Sequence, residues 1–255
     1  MNGSPESVPG PVLAVVPARW ESSRFPGKVL VPLAGRPVLA WVLDAVSAAR
    51  RVDAVLVATD EPRVAEAAAV LGVEAVLTSS EHASGTDRIG EAVRGRDAAV
   101  VVNVQGDEPL VPPEAIDTLI ATLLDDPEAD VGTLACPLED DERDDPNSVK
   151  VVITDAGRAL YFSRADVPAV HPTAHRRVPS LRHVGLYAYR RTALDRFLTL
   201  APTRLEQQEG LEQLRLLEAG ARFAVGTVPS HPRGIDTPED LARCERVLAP
   251  RGGAL

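Results

Sequence analysis

Residues 12–28 read VLAVVPARWESSRFPGK. Val12 to Val16 form an unbroken apolar run closed by Pro17, the pattern of a strand buried on both faces. The residues after it are polar and place three cations, Arg19, Arg24 and Lys28, within ten positions. A buried strand that runs into a cationic loop points to an open α/β sheet, in which ligands bind beyond the carboxyl ends of the strands.

The neighbouring sequence repeats the alternation. Residues 37–50 have helical spacing, with Leu39, Val42, Leu43 and Val46 on one face and Pro37 suited to a first turn. Residues 52–60 read as a strand, 62–72 as a helix closed by Gly72, and 73–79 as a third strand. A helix over 85–95, a Val-rich strand over 98–107 and a helix over 113–126 follow. Strands rich in valine with helices between them predict a parallel sheet covered on both faces. The acidic run EDDERDDPN (139–147) reads as a solvated loop, and the pattern changes after it. Residues 149–165 read as a hairpin turning at Asp155–Gly157, and 182–190 as a further strand. Helices over 191–200 and 204–220, a strand over 221–229 and a last helix over 236–248 complete the chain. Thr237 with Asp240 has the spacing of an N-terminal cap.

A chain of 255 residues with a net charge of −10 is a poor partner for nucleic acid, but a small anion remains possible where cations gather. No apolar run reaches membrane-spanning length, and residues 1–10 read as a flexible leader without the features of a signal peptide. Cys136 and Cys244 have no CxxC partner and read as buried free thiols of a cytoplasmic protein. The chain has 25 arginines and only two lysines, Lys28 and Lys150. A lysine kept in so arginine-biased a chain suggests a place that needs a compact point charge rather than a planar fork.

The loop is not a P-loop, because GxxxxGK[ST] is broken before and after Lys28. Its place is nevertheless that of a phosphate loop. Arg19, Arg24 and Lys28 suit a polyphosphate, and backbone amides near Ala18 suit a base or ribose. QGDEP (105–109) closes the fourth strand, where a magnesium ion carrying phosphates would need a carboxylate. Asp107 is the better ligand and Glu108 the lesser, with helix capping as the competing role. Asp236, in GIDTPED, is a further acid at a strand-to-helix corner, with capping again its rival. Nothing in the sequence brings residues 107 and 236 together.

The segments PARWESSRFPGK, LAGRPVLAWVL, ATD, SGTDRI, VVNVQGDEP, PNSVKVV, ALYFSRA, RHVGLYAYR, LEQLRLLEAG and GIDTPEDL come in the order and spacing of the CMP-Kdo synthetases, the 3-deoxy-manno-octulosonate cytidylyltransferases. The chain resembles that family over about residues 12–248. CMP-sialic acid synthetases lack SRFPGK in this form and the LEQLR block. Sugar-1-phosphate nucleotidylyltransferases carry a GxGxR loop that is absent here. The resemblance implies a nucleotidyltransferase-type α/β fold: a Rossmann-like, mostly parallel sheet with helices on both faces and an inserted acceptor and dimerisation subdomain. It implies one domain over 11–255, with a nucleotide half to about 135, an acceptor and dimerisation part to about 224 and a closing strand and helix to about 250. It also implies CTP as donor, Mg²⁺ as cofactor and a homodimer.

By the same resemblance Arg19, Ser22, Ser23, Arg24 and Lys28 fall where the family binds the triphosphate. Ser84, Gly85, Thr86, Asp87 and Arg88 fall in the segment lining its nucleotide pocket. Gln105 and Asp107 match acceptor and metal positions, and Asp236 the second metal aspartate. Arg164, His183, Tyr187, Glu212 and Gln213 fall where the family holds its acidic sugar. The acceptor expected is a Kdo-like sugar acid, with a small phosphonate such as phosphonoformate as the alternative. A non-catalytic nucleotide-binding regulator is the remaining reading from another class, and the acids at 107 and 236 argue against it.

Overall fold

The computed structural model describes residues 10–21, 24–82, 84–173 and 178–249. The chain forms two compact units. One runs to Asp117 and resumes at Pro232; the other is Thr118–His231.

The first unit opens with β1 (Val12–Pro17), buried from Val12 to Val16. A short hairpin follows, β2 (Pro32–Leu33) with β3 (Arg36–Pro37), turning through Ala34 and Gly35 at φ 49° and 82°. It leads into α1 (Val38–Ala48), β4 (Ala54–Thr59), α2 (Pro62–Val70), β5 (Glu74–Leu77), α3 (Gly85–Ala92), β6 (Val100–Asn103) and α4 (Pro113–Asp125). Strands β6, β1, β4 and β5 lie side by side in that order, all parallel. Ala14 stands opposite Val55 on one side and Val102 on the other, so β1 is central and its apolar run is accounted for. The alternation read from the sequence is therefore the observed one. Pro37 differs slightly: its ψ of 144° is extended, so it precedes α1 as the cap rather than opening the first turn. Gly72 ends α2 at φ 77°, a conformation cheap only for glycine. The chain moves outward from β1 to β4 and β5 and then returns to the far side of β1 as β6. The connections leaving β1 and β6 thus part in opposite directions, and a crevice opens at their carboxyl ends.

The second unit contains β7 (Val131–Pro137), β8 (Lys150–Ile153), β9 (Ala159–Ser163), β10 (Leu181–Arg190), α5 (Arg191–Phe197), α6 (Arg204–Glu209), α7 (Gln213–Glu218) and β11 (Phe223–Thr227). β7 pairs antiparallel with β10 and parallel with β11, while β8 pairs antiparallel with β10 and β9. The hairpin around Asp155–Gly157 is present as β8 and β9. β7, to which the sequence reading assigned no structure, is the centre of this unit. A Cβ at Gly132 would lie 2.9 Å from that of Leu123, and one at Gly226 would lie 2.3 Å from Thr122 Oγ1. Glycine in both strands therefore sets how closely they pack on the end of α4.

Two expectations change here. The stretch 204–220 is not one helix. Gly210, at φ 62°, ends α6, and α7 starts afresh after it. The acidic run 139–147 is not wholly solvated. Glu142 is buried and pairs with Arg182 at 3.2 Å, while Asp140 and Asp141 are exposed.

The chain re-enters the first unit with α8 (Pro238–Leu248). Thr237 Oγ1 accepts from Asp240 N, and the Asp240 carboxylate accepts from Thr237 N and Asp236 N, both at 3.0 Å. Leu33, Val38, Ile235 and Cys244 form a buried cluster extended by Phe25 and Trp41. Cys136 and Cys244 are free and buried, as expected. Among the described residues no helix is long and apolar enough to cross a membrane.

Candidate active site

The loop after β1 is shaped by an indole. Gly27 lies at φ 69°, and its N–H donates to the Trp20 carbonyl at 2.9 Å. A Cβ on Gly27 would come within 2.7 Å of the Trp20 ring, so only glycine lets the loop close there. The guanidinium of Arg63 stacks over the same ring, 3.8 Å from its centroid. Lys28 follows at once and opens a single 3₁₀ turn, Lys28–Leu30. Its side chain is only 11% exposed, so its ammonium must be met by protein.

It is met by both candidate aspartates. Lys28 Nζ donates to Asp236 Oδ1 at 2.9 Å and makes a closer contact with Asp107 Oδ2. Arg24 pairs with the other oxygen of Asp236 at 2.9 Å. Burial works to lower the Lys28 pKa, but Asp107 and Asp236 together outweigh it and hold the ammonium above its usual value. The backbone explains the meeting. A Cβ on Gly106 would lie 2.8 Å from the Pro17 carbonyl, so the ends of β1 and β6 touch at the crevice. Ile235 N donates to the Asp107 carbonyl at 2.8 Å, which lays the 234–236 corner over the end of β6. Glu108 packs beside that corner, its Cγ 3.2 Å from where a Gly234 Cβ would stand. Neither aspartate caps a helix: α4 starts at Pro113, and Thr237 caps α8. Two carboxylates from distant segments thus converge on one cation. Among the described residues no group of three or more His, Cys, Asp or Glu gathers as a metal cage. An oxygen pair of this kind fits Mg²⁺, which takes one or two carboxylates and completes its shell with phosphate and water.

The other donor-side residues are placed as follows. Arg19 is exposed, and Ser22 and Ser23 lie outside the described residues. Ser84 caps α3: its Oγ accepts from Asp87 N at 3.1 Å and donates to Asp87 Oδ2 at 2.9 Å. Gly85 approaches Pro17 and Thr86 is buried behind it. Arg88 is also buried, bonded to Thr78 Oγ1 at 2.6 Å and to Asp60 Oδ2 at 3.0 Å. Its guanidinium ties α3 to the ends of β4 and β5. Gln105 Nε2 donates to Asn103 Oδ1 at 3.1 Å. The backbone N–H of Ala18 goes to the Ala58 carbonyl at 2.9 Å. It continues the β1–β4 ladder, so the amide suggested for a base or ribose is already used.

Apart from Gln105, the acceptor-side candidates belong to the second unit. Arg164 donates to the carbonyls of Glu209, Pro146 and Gly210. The Glu209 carboxylate receives Arg164 N and Ser163 Oγ, each at 2.9 Å, and Tyr161 OH at 3.3 Å. Lys150 is fully buried and donates to the carbonyls of Asp145 and Arg164 at 2.8 and 3.1 Å. Arg164 is therefore gripped from its side chain and from its backbone. The sequence reading singled out Lys150 without a role and missed Glu209, whose helical surroundings disguise it. His183 is buried against Phe162, and burial, with Arg182 nearby, lowers its pKa to about 3. It is therefore neutral at physiological pH. The Thr133 hydroxyl donates to the Leu186 carbonyl at 2.8 Å, which assigns the imidazole proton to His183 Nε2, 2.9 Å from Thr133 Oγ1. Tyr187 stands between His183 and Tyr189, with ring centroids 5.4 and 5.7 Å away. Glu212 holds the N-cap position of α7, and Gln213 is buried in its first turn.

Residues 13–223 match the family model described as Cytidylyltransferase. The chain belongs to the cytidylyltransferase family. This cytidylyltransferase is 43% identical over 244 residues to the 3-deoxy-manno-octulosonate cytidylyltransferase of Bdellovibrio bacteriovorus, covering 94% of this chain and 99% of the relative. It is 47% identical over 240 residues to the enzyme of the same name from Acidobacterium capsulatum, covering 94% and 97%. Among solved structures it is similar to CMP:2-keto-3-deoxy-manno-octonic acid synthetase complexed with CTP. That match has a TM-score of 0.89 and 39% identity, and covers 94% of this chain and 98% of the other. The nucleotidyltransferase-type fold expected from the sequence is thus the fold of this cytidylyltransferase, a CTP-dependent nucleotidyltransferase.

Proposed function

We propose that this cytidylyltransferase transfers CMP from CTP to 3-deoxy-manno-octulosonate and releases pyrophosphate. The observation that carries the acceptor is the full-length likeness to relatives that bear this sugar acid in their names. The alternative acceptor, a small phosphonate, has no such support and is not retained.

An oxygen of the acceptor attacks the α-phosphorus of CTP. The new O–P bond forms as the bond to the bridging oxygen of the β-phosphate breaks, and the acceptor hydroxyl gives up its proton. Positioning and charge neutralisation are the protein's part. Arg19, Arg24 and Lys28 hold the β- and γ-phosphates and stabilise the leaving pyrophosphate. Asp107 and Asp236 would hold Mg²⁺. When bound, the ion supplies charge neutralisation at the α-phosphate and acidifies a nearby hydroxyl. Arg164, already oriented by Glu209 and Lys150, grips the acceptor carboxylate, with neutral His183 and Tyr187 as further acceptor-side residues. The active form is a cytoplasmic homodimer acting on small molecules, not on nucleic acid.

The test incubates the protein with CTP and Mg²⁺, offers 3-deoxy-manno-octulosonate or phosphonoformate, and measures pyrophosphate and the CMP-linked product. Release with the sugar acid alone is expected; none with it would sink this reading. Arg164→Ala is expected to raise the acceptor KM about tenfold or more and leave the CTP KM within about twofold. The opposite split would remove Arg164 from acceptor binding.

A further inference from the structure

Lys28 stands between the two aspartates that would hold a divalent cation. Its ammonium reaches one oxygen of Asp107 and one of Asp236, and Arg24 takes the second oxygen of Asp236. Two cations thus balance two carboxylates, and the aspartate pair presents no surplus negative charge. Lys28 is nine-tenths buried and Asp107 largely so, which makes their contact stronger than an exposed pair. Both cations also belong to the loop assigned to the triphosphate.

We propose that Lys28 is a placeholder for the metal ion, so that the aspartates become available to a divalent cation only when a triphosphate draws Lys28 and Arg24 away. The inference rests on the assignment of this loop to the triphosphate. Nucleotide and metal then bind as a coupled pair, because whatever removes Lys28 from the aspartates favours the ion there, and the ion favours the released lysine. The exchange conserves the charge balance. The aspartates give up an ammonium and a guanidinium and receive one divalent ion, while the two monocations move to phosphate oxygens. A lysine suits this movement better than an arginine. A point charge on a flexible stem can swing between two sets of oxygens, whereas a fork held bidentate by two carboxylates is fixed.

The test needs no turnover. Mn²⁺ binding to the nucleotide-free protein is followed by electron paramagnetic resonance for the wild type, Lys28→Met and Lys28→Gln, with thermal melts to confirm folding. Removing the ammonium while keeping the stem is expected to tighten Mn²⁺ binding by about tenfold or more. Adding Asp107→Asn to Lys28→Met is expected to abolish the gain. Unchanged or weaker Mn²⁺ binding in a folded Lys28 variant overturns the proposal, as does a gain that survives Asp107→Asn. Should the protein prove not to use CTP at all, the pyrophosphate assay reports that separately, since Mn²⁺ binding is measured without nucleotide.

Discussion

Asp107→Asn is expected to slow pyrophosphate release from saturating CTP and acceptor by about a hundred- to a thousandfold, with little change in melting temperature. The substitution keeps shape and removes charge. Asp107 comes from the end of β6, and its segment is fixed by Gly106 against Pro17 and by Ile235 N on its own carbonyl. None of those contacts uses the carboxylate, so the fold survives. Lys28 keeps Asp236 as a partner, at 2.9 Å. On the proposed reading, what is lost is a negative charge that would hold the ion where charge develops. A rapid-quench measurement of the chemical step decides the matter; a rate within tenfold of the wild type would remove Asp107 from the reaction. Asp236→Asn is expected to follow in the same direction but less severely. Its carboxylate is 49% exposed and shared with Arg24, whereas that of Asp107 is 28% exposed.

Arg215→Met is expected to destabilise the protein by about 3–5 kcal/mol, the largest stability effect foreseen for one side chain. Arg215 forms two bonds to Glu206, at 2.8 and 2.5 Å, and lies over Phe197 at 4.2 Å. The two charged side chains are 7% and 9% exposed, so removing the arginine strands a carboxylate in the interior. The Glu206 carboxylate also accepts from Thr203 N to complete the cap of α6. A thermal melt is expected to fall by roughly 10 °C. Replacing both partners, Arg215→Met with Glu206→Met, is expected to recover much of the loss, because a buried ion pair rarely outperforms an apolar pair of similar size. A single variant with an unchanged melt would show that the pair is solvated.

Arg215 also illustrates where motif and role part company. LEQLR was legible as a family signature, yet its arginine builds α6 onto α7 rather than facing a ligand. The parallel half of the fold was legible because β1, β4 and β6 are nearly continuous apolar runs and α2 stops at a glycine. β7 was not, because Gly132 interrupts its apolar pattern; that glycine is there for the approach of Leu123, a tertiary demand invisible along the chain. The break at Gly210 was hidden for a related reason. A single glycine in a run of Glu, Gln and Leu costs a helix only about 1 kcal/mol, so the sequence favoured continuation, while the carbonyl bonded by Arg164 belongs to the broken form. At the site, Arg24 and Lys28 stood out against the acidic composition. The meeting of Asp107 with Asp236 could not be read, since it depends on the 234–236 corner returning to β6 after the whole second unit.

The contact between Gly27 and the Trp20 ring gives this loop its own optical signal. The protein has two tryptophans, and Trp41 packs on the buried cluster around Leu33 and Ile235, its Nε1 bonded to the Leu33 carbonyl at 2.9 Å. Trp20 is sandwiched between a backbone and the Arg63 guanidinium, immediately before the residues that would meet phosphate. With Trp41 replaced by phenylalanine, tryptophan fluorescence comes from Trp20 alone. A triphosphate that draws Lys28 away, as proposed above, would shift Gly27 against the face of the emitting ring, so its arrival and departure are expected to register in a stopped-flow instrument without a label.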